Sequence, residues 1–283
     1  MDVPFIKMEG AGNDYVYIDL LAPENGVLFT RVSWDDLARN ISDRHFGVGS
    51  DGLVLVTRGE SSYFGMKMFN ADGSEAEMCG NAIRCVAKLL LDKGYERKET
   101  FSIDTLAGKK NVAIKDRDPH GITLVEVDMG EPVLKSADIP VDFDSERVVD
   151  AFLAGHRGTA VSMGNPHFVV FVDRITDDMV TNEGPLIERD PVFLNRTNVE
   201  FVRVVNEQQI EMRVWERGSG ETLACGTGAC ACAVAAALEG RTSKQVRVSL
   251  LGGELQVSWR EDNRVYLTGP ARETFTGVYH YDV

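Results

Sequence analysis

Two stretches of this 283-residue chain match each other without a gap: FNADGSEAEMCGNAIRCVAKLLLDKG, from Phe69 to Gly94, and WERGSGETLACGTGACACAVAAALEG, from Trp215 to Gly240. In each, an apolar run leads into a Gly/Ser loop, a Cys-Gly pair follows, and a helical run closes on a glycine. Cys79 stands as far from Gly94 as Cys225 does from Gly240. The likeness extends outward. GNDYVYID from Gly12 parallels GNPHFVVFVD from Gly164, each a Gly-Asn turn entering a β-rich run, and FSIDTLAGKKNVAI parallels VRVSLLGGELQVS as strand, glycine-containing turn, strand. A period of about half the chain means a tandem duplication rather than a solenoid, with each half building one α/β unit.

The duplication sets the expected domains. Residues 1–130 form the first repeat and 131–270 the second, joined near Gly130-Glu131-Pro132, and the remaining segment 271–283 is expected to cross back to the first. The length supports two cores of about 140 residues each. After Cys79, the apolar residues Ile83, Val86, Ala87 and Leu90 fall at helical spacing, and Gly94 is placed as the residue just past the helix end. After Cys225 the run is apolar nearly all round, as suits a helix enclosed by sheet on most sides. A third helix is predicted from Ser33 to Arg44, with Ser33 as its N-cap.

Composition narrows the partners. Lys and Arg number 30 against 44 Asp and Glu, a net charge of −14 that argues against a surface for phosphate backbones, so nucleic acid is not expected. No apolar stretch reaches membrane-spanning length, and the start MDVPFIKMEG lacks a basic segment followed by an apolar run. A cytoplasmic protein without a membrane partner is expected. An odd count of five cysteines outside a secretory context implies reduced thiols.

Three of those thiols lie in CGTGACAC, from Cys225 to Cys232. The spacings C-x5-C and C-x4-C-x-C inside helical runs do not converge as metal ligands do, so no metal is expected. Cys85, Cys230 and Cys232 read as small buried hydrophobes. Cys79 and Cys225 are different, because each sits where a loop turns into a helix. There a thiol meets unpaired backbone N–H groups and the positive end of the helix dipole, which lowers its pKa and favours anions. If the two repeats face each other, both thiols converge on one cleft, an arrangement suited to inverting a carbon that carries hydrogen: one thiolate removes the proton and the opposing thiol supplies another. Helix N-termini aimed at the α-carboxylate would stabilise the developing carbanion, and no cofactor is called for.

With GAGNDYVYID, GVGSDG, FNADGSEAEMCGNAIRC, GNPHFVV, TNVEFV, VWERGSGETLACGTGA and a terminal LTGPA in this order, the chain resembles the diaminopimelate epimerase family over nearly its whole length. The resemblance implies two pseudo-symmetric repeats, each a curved, mostly antiparallel sheet or barrel around a central helix, an α/β (α+β) fold with the active site between the repeats. It implies a cofactor-independent isomerase, commonly homodimeric, that interconverts LL- and meso-2,6-diaminopimelate. Cys79 and Cys225 match the two acid/base thiols. Gly80, Asn81, Gly226 and Thr227 match groups that bind the reacting carboxylate. Asn13, Asn70, Asn165, Asn198, Glu216 and Arg217 match substrate contacts, and His167 and Glu216 match residues that assist thiol deprotonation. For His167 a packed strand-entry histidine is the competing reading, and for each asparagine a turn-maker. One departure stands out: where some members carry glutamine at the end of GxGxDQ, this chain has Gly52. That keeps open a related two-cysteine racemase acting on another amino acid, such as histidine or a proline derivative.

Overall fold

The computed structural model describes residues 1–282. The chain divides into two compact units, one made of Met1–Val127 with the segment from Gly269 onward, the other of Asp128–Thr268. Among the described residues no helix is long and apolar enough to cross a membrane.

The first unit contains strands β1 (Asp2–Gly10), β2 (Asn13–Asp19), β3 (Gly52–Arg58), β4 (Phe64–Asn70), β5 (Glu75–Ala76), β6 (Thr100–Thr105), β7 (Gly108–Arg117) and most of β8 (Ile122–Gly130). Its helices are α1 (Leu28–Arg31), α2 (Trp34–Ser42) and α3 (Gly80–Asp92). The pairing β1–β2 is antiparallel, β2–β3 parallel, β3–β4 antiparallel, β4–β6 parallel, and β6–β7–β8 antiparallel.

The second unit contains β9 (Ala151–Leu153), β10 (His156–Ser162), β11 (Pro166–Phe171), β12 (Asn198–Asn206), β13 (Gln209–Glu216), β14 (Gly220–Glu221), β15 (Gln245–Leu250), β16 (Gly253–Trp259) and the start of β17 (Val265–His280), with helices α4 (Gly184–Glu188) and α5 (Gly226–Leu238). Its pairing from β10 through β11, β12, β13, β15 and β16 to β17 repeats the same succession of antiparallel and parallel ladders. Even the register agrees: Leu53 opposes Phe69 in one unit and Val199 opposes Trp215 in the other. The later part of β17 pairs with β1, from Arg272 opposite Glu9 to His280 opposite Asp2.

Each sheet curves around one helix. α3 packs on β1, β2 and β7, and its residues from Gly80 to Leu90 are all buried; α5 packs on β10, β11, β12, β13, β15 and β16. The small side chains of α5 allow that enclosure. Both helices end in the same way: Tyr95 N–H donates to Leu90 O and Gly94 N–H to Leu91 O, while Arg241 N–H donates to Ala236 O and Gly240 N–H to Ala237 O. Gly94 and Gly240 adopt the positive φ, 71° and 67°, that this double bond requires.

The outer faces are covered too. In the first unit Val16, Ile18, Leu53 and Leu55 pack against Leu37, Ala38 and Ile41 of α2. In the second, Phe168, Val170, Val199 and Phe201 pack with Val180 and Ile187. Because strand side chains alternate, the intervening residues His167, Val169, Asn198 and Glu200 face inward, toward α5. One cap differs from expectation. Ser33 is the N-cap residue of α2, but its hydroxyl donates to the Asp35 carboxylate and accepts from no backbone N–H.

Gly52 also finds its reason here. A Cβ at this position would lie 2.1 Å from Phe69 O and 2.9 Å from Tyr15 Cε1, so β3 approaches its two neighbours too closely for any side chain. Restoring the glutamine seen in some relatives, Gly52→Gln, is expected to lower unfolding free energy by about 1–3 kcal/mol or more through overpacking. Urea unfolding checks this; an unchanged midpoint would mean that the strands part at little cost.

Candidate active site

The hairpins β4–β5 and β13–β14 each deliver the chain to a cysteine that is the N-cap of the enclosed helix. Both cysteines have extended backbone, φ −131° at Cys79 and −123° at Cys225, and the glycine that follows each, Gly80 or Gly226, opens the helix and is buried. All five cysteines are thiols.

In the first unit the Cys79 thiol donates to Asn13 Oδ1 at 3.4 Å, and Asn81 Nδ2 donates to the same oxygen at 3.1 Å. Asp51 sets this orientation. Its carboxylate only accepts, and it takes Asn13 Nδ2 at 2.6 Å, so the Asn13 oxygen must turn toward the cysteine. Arg44 in turn donates to Asp51 and Asp14, both at 2.8 Å, holding the carboxylates in place. Asn70 does not join this group: its side chain is exposed and donates to Ser74 Oγ at 3.0 Å within its own turn.

In the second unit Cys225 is buried, accepts a bond from Gly228 N–H at 3.4 Å, and lies 3.5 Å from Thr227 Oγ1. Burial pushes its pKa well above the ordinary thiol value, and the Glu216 and Glu200 carboxylates push further in the same direction; the bonds from Thr227 and Gly228 oppose them without prevailing. The sequence-based expectation of a lowered thiol pKa therefore fails at Cys225. Desolvation and two nearby acids outweigh one helix N-terminus. Burial likewise raises the pKa of Glu216, against bonds from Thr222 and Cys225 and the nearby His167.

His167 is wholly buried. Its Nδ1 lies 2.6 Å from Glu200 Oε1 and its Nε2 3.0 Å from Asn165 Oδ1, so both ring nitrogens are engaged by groups other than Cys225. Asn198 ties two loops together, donating to Pro166 O at 2.7 Å and accepting from Arg217 N–H at 2.9 Å. The Arg217 guanidinium is exposed and donates to Asn195 O at 2.9 Å. Glu188 anchors the same loop from either side, accepting from Trp215 Nε1 at 3.1 Å and from Gly218 N–H at 2.9 Å.

Sequence reasoning passed over Asp51, Glu200, Glu188 and Thr222. Asp51 stood in the GVGSDG motif, and Glu200 in TNVEFV occupies a strand position whose alternation faces inward, so both left a signal. Glu188, in a short helix far from either cysteine element in sequence, left none. Among the described residues no group of three or more His, Cys, Asp or Glu side chains is arranged to hold a metal ion.

A family model described as diaminopimelate epimerase matches residues 5–135 and 159–274. The chain belongs to the diaminopimelate epimerase family. A diaminopimelate epimerase of Methanococcus maripaludis strain C6 is 46% identical over 280 residues, covering 96% of this chain and 98% of the relative. One of Acetivibrio thermocellus is 48% identical over 278 residues, covering 96% and 97%. Among solved structures, a probable proline racemase from Agrobacterium radiobacter K84 aligns with TM-score 0.69 at 15% identity, covering 99% of this chain and 93% of that one. A predicted epimerase from Pseudomonas aeruginosa aligns with TM-score 0.68 at 15% identity, covering 99% and 100%. At such identity the two structures bear on the fold alone, which this member of the diaminopimelate epimerase family shares with them.

The acids around Cys225 give a direct test. Replacing Glu216 by Gln removes the larger of the two charges that disfavour the thiolate, so the Cys225 titration is expected to move to lower pH. The ultraviolet absorbance of the thiolate reads this, taken in each background as the difference from the matching Cys225→Ser protein. A shift to higher pH would refute the electrostatic account.

Proposed function

We propose that this protein is a cofactor-independent isomerase that interconverts LL- and meso-2,6-diaminopimelate, with Cys79 and Cys225 as its two acid/base groups. The observation that carries the reading is that a chain matched by the family over nearly its whole length has, in each repeat, a thiol as the cap of the enclosed helix. The thiolate of one cysteine takes the proton from the α-carbon and becomes a thiol. The other thiol then gives its proton to the opposite face of the carbanion and becomes a thiolate, so configuration inverts and atoms and charge balance. Burial and the Glu216 and Glu200 carboxylates raise the Cys225 pKa, which favours its thiol form.

The backbone N–H groups at Gly80, Asn81, Gly226 and Thr227 suit the reacting carboxylate, since the first turn of a helix leaves such donors for an anion. Preorganised donors of that kind stabilise the carbanion without reorganising in the transition state. Asn13, Asn70, Asn165, Asn198, Glu216 and Arg217 are the candidate contacts for the remaining charges of a substrate with two ammonium and two carboxylate groups. The domains implied are the two repeats, near 1–130 with 271–283 and 131–270, each giving one thiol. A homodimer working in the cytoplasm completes the proposal, supported by the family resemblance and by five cysteines that are all thiols.

Incubation with LL-diaminopimelate in deuterated water, without added cofactor, is expected to yield meso product labelled at the α-carbon. Cys79→Ala and Cys225→Ala are each expected to lower kcat by about a hundredfold or more, the scale of a lost acid or base. Full turnover by either variant, or no label and no meso product from the unaltered protein, would sink the reading.

A further inference from the structure

The duplication allows a comparison within one molecule. By register, Tyr15 opposes Gly52 as His167 opposes Asn198, so Val54, two residues further along its strand, is the counterpart of Glu200. Both Val54 and Glu200 are fully buried. The first unit thus fills this inward position with an apolar side chain. The second fills it with a carboxylate that bonds one histidine and leaves its other oxygen, Oε2, without a hydrogen-bond partner among the described residues.

The carboxylate is accommodated on purpose by its surroundings. A Cβ on Gly228, in the first turn of α5, would come within 2.8 Å of Glu200 Oε1 and 3.3 Å of Cys225 Sγ, so glycine leaves room for both the acid and the thiol beside the helix start. A carboxylate offers only acceptors, so the nitrogen it meets must carry a proton. Nδ1 of His167 therefore carries a proton, and so does Nε2, because Asn165 Oδ1, the atom it meets, also only accepts.

We propose that Glu200 is a positioning residue for the reaction: it pairs with the doubly protonated His167 ring and holds its Nε2–H on Asn165 Oδ1, so that Asn165 Nδ2 is presented to the substrate in one orientation. The proposal rests on the functional reading above, in which Asn165 contacts substrate. It gives His167 a task other than taking a proton from Cys225, since both of its nitrogens are committed elsewhere. The acid acts through two intermediaries and need not touch the substrate.

The test combines kinetics with a direct look at the ring. Glu200→Val copies the counterpart residue, and Glu200→Gln keeps the shape and one acceptor. Loss of a residue that orients a ligand-binding side chain typically costs about ten- to a hundredfold, so Glu200→Val is expected to lose that much in kcat/KM in both reaction directions, and Glu200→Gln less. His167→Asn should lose a similar factor. Because the two act as a unit, the double variant His167→Asn with Glu200→Val should be no worse than the poorer single variant.

Nitrogen-15 NMR of the histidine rings, with the His167 signals assigned by the His167→Asn variant, should find both ring nitrogens protonated in the unaltered protein and their signals altered in Glu200→Gln. Undiminished kcat/KM in Glu200→Val, fully additive losses, or a bare nitrogen on the His167 ring in the unaltered protein would overturn the proposal. The ring spectrum decides even if Glu200→Val does not fold. If the unaltered protein failed to epimerise diaminopimelate, the functional reading would fall, while the spectrum would still report on Glu200.

Discussion

Each unit must start a helix inside itself. A strand ladder consumes its own backbone groups, so a sheet wrapped around a helix has none to spare for the N–H groups of the first helical turn, which have no partner within the helix. Serine, aspartate or asparagine at the N-cap would satisfy one of them well. Both units instead place a cysteine there; Cys79 makes no capping bond, and Cys225 makes a long one to Gly228 N–H. Sulfur is a weak acceptor. The consequence is a buried set of donors that favours an anion, lined by small or polar residues: Gly80 and Asn81 in one unit, Gly226, Thr227 and Gly228 in the other. The chemistry proposed for this protein grows from that requirement of the fold.

Much of this was readable in the sequence because a duplication is a global signal. The ungapped match from Phe69 and Trp215 onward foretold two α/β units, and the structure repeats their ladders strand for strand, with matching helix ends at Gly94 and Gly240. What escaped depends on distances between residues remote in sequence. No pattern announces that a Cβ at position 52 would meet Phe69 O, which is why Gly52 read only as a departure from the glutamine of some members. Ser33 is the N-cap its type announced, but the bond of its hydroxyl goes to the neighbouring Asp35, which the type alone does not tell. The thiol pKa misled for a related reason. The helix start is local and visible, but the acids that outweigh it at Cys225 come from β12 and β13.

The same frame carries two electrostatic solutions. In the first unit the acid near the cysteine, Asp51, is compensated by Arg44 and by Asn13, and all of its effect is spent on orienting an amide. In the second, Asn198 stands where Gly52 does, Glu216 where Asn70 does, and Glu200 where Val54 does. Acids there gather around a buried sulfur and hold its proton on. Two thiols placed alike by symmetry are thereby made unlike in environment. The first thiol bonds an amide oxygen, while the second keeps its proton beside two acids.

The cost of the second solution explains why the fold does not use it twice. Burying an ionised carboxylate is expensive, and even a well-paired buried ion pair often contributes less stability than apolar residues of similar volume. Val54 demonstrates that this strand position is satisfied by a side chain with no charge at all, in an otherwise equivalent sheet. Glu200 and His167 are therefore not what the fold needs at that place. A carboxylate kept there, with glycine at position 228 beside it and a histidine to bond it, is accounted for by the proposed orientation rather than by stability: one setting of the His167 ring, and through it of Asn165.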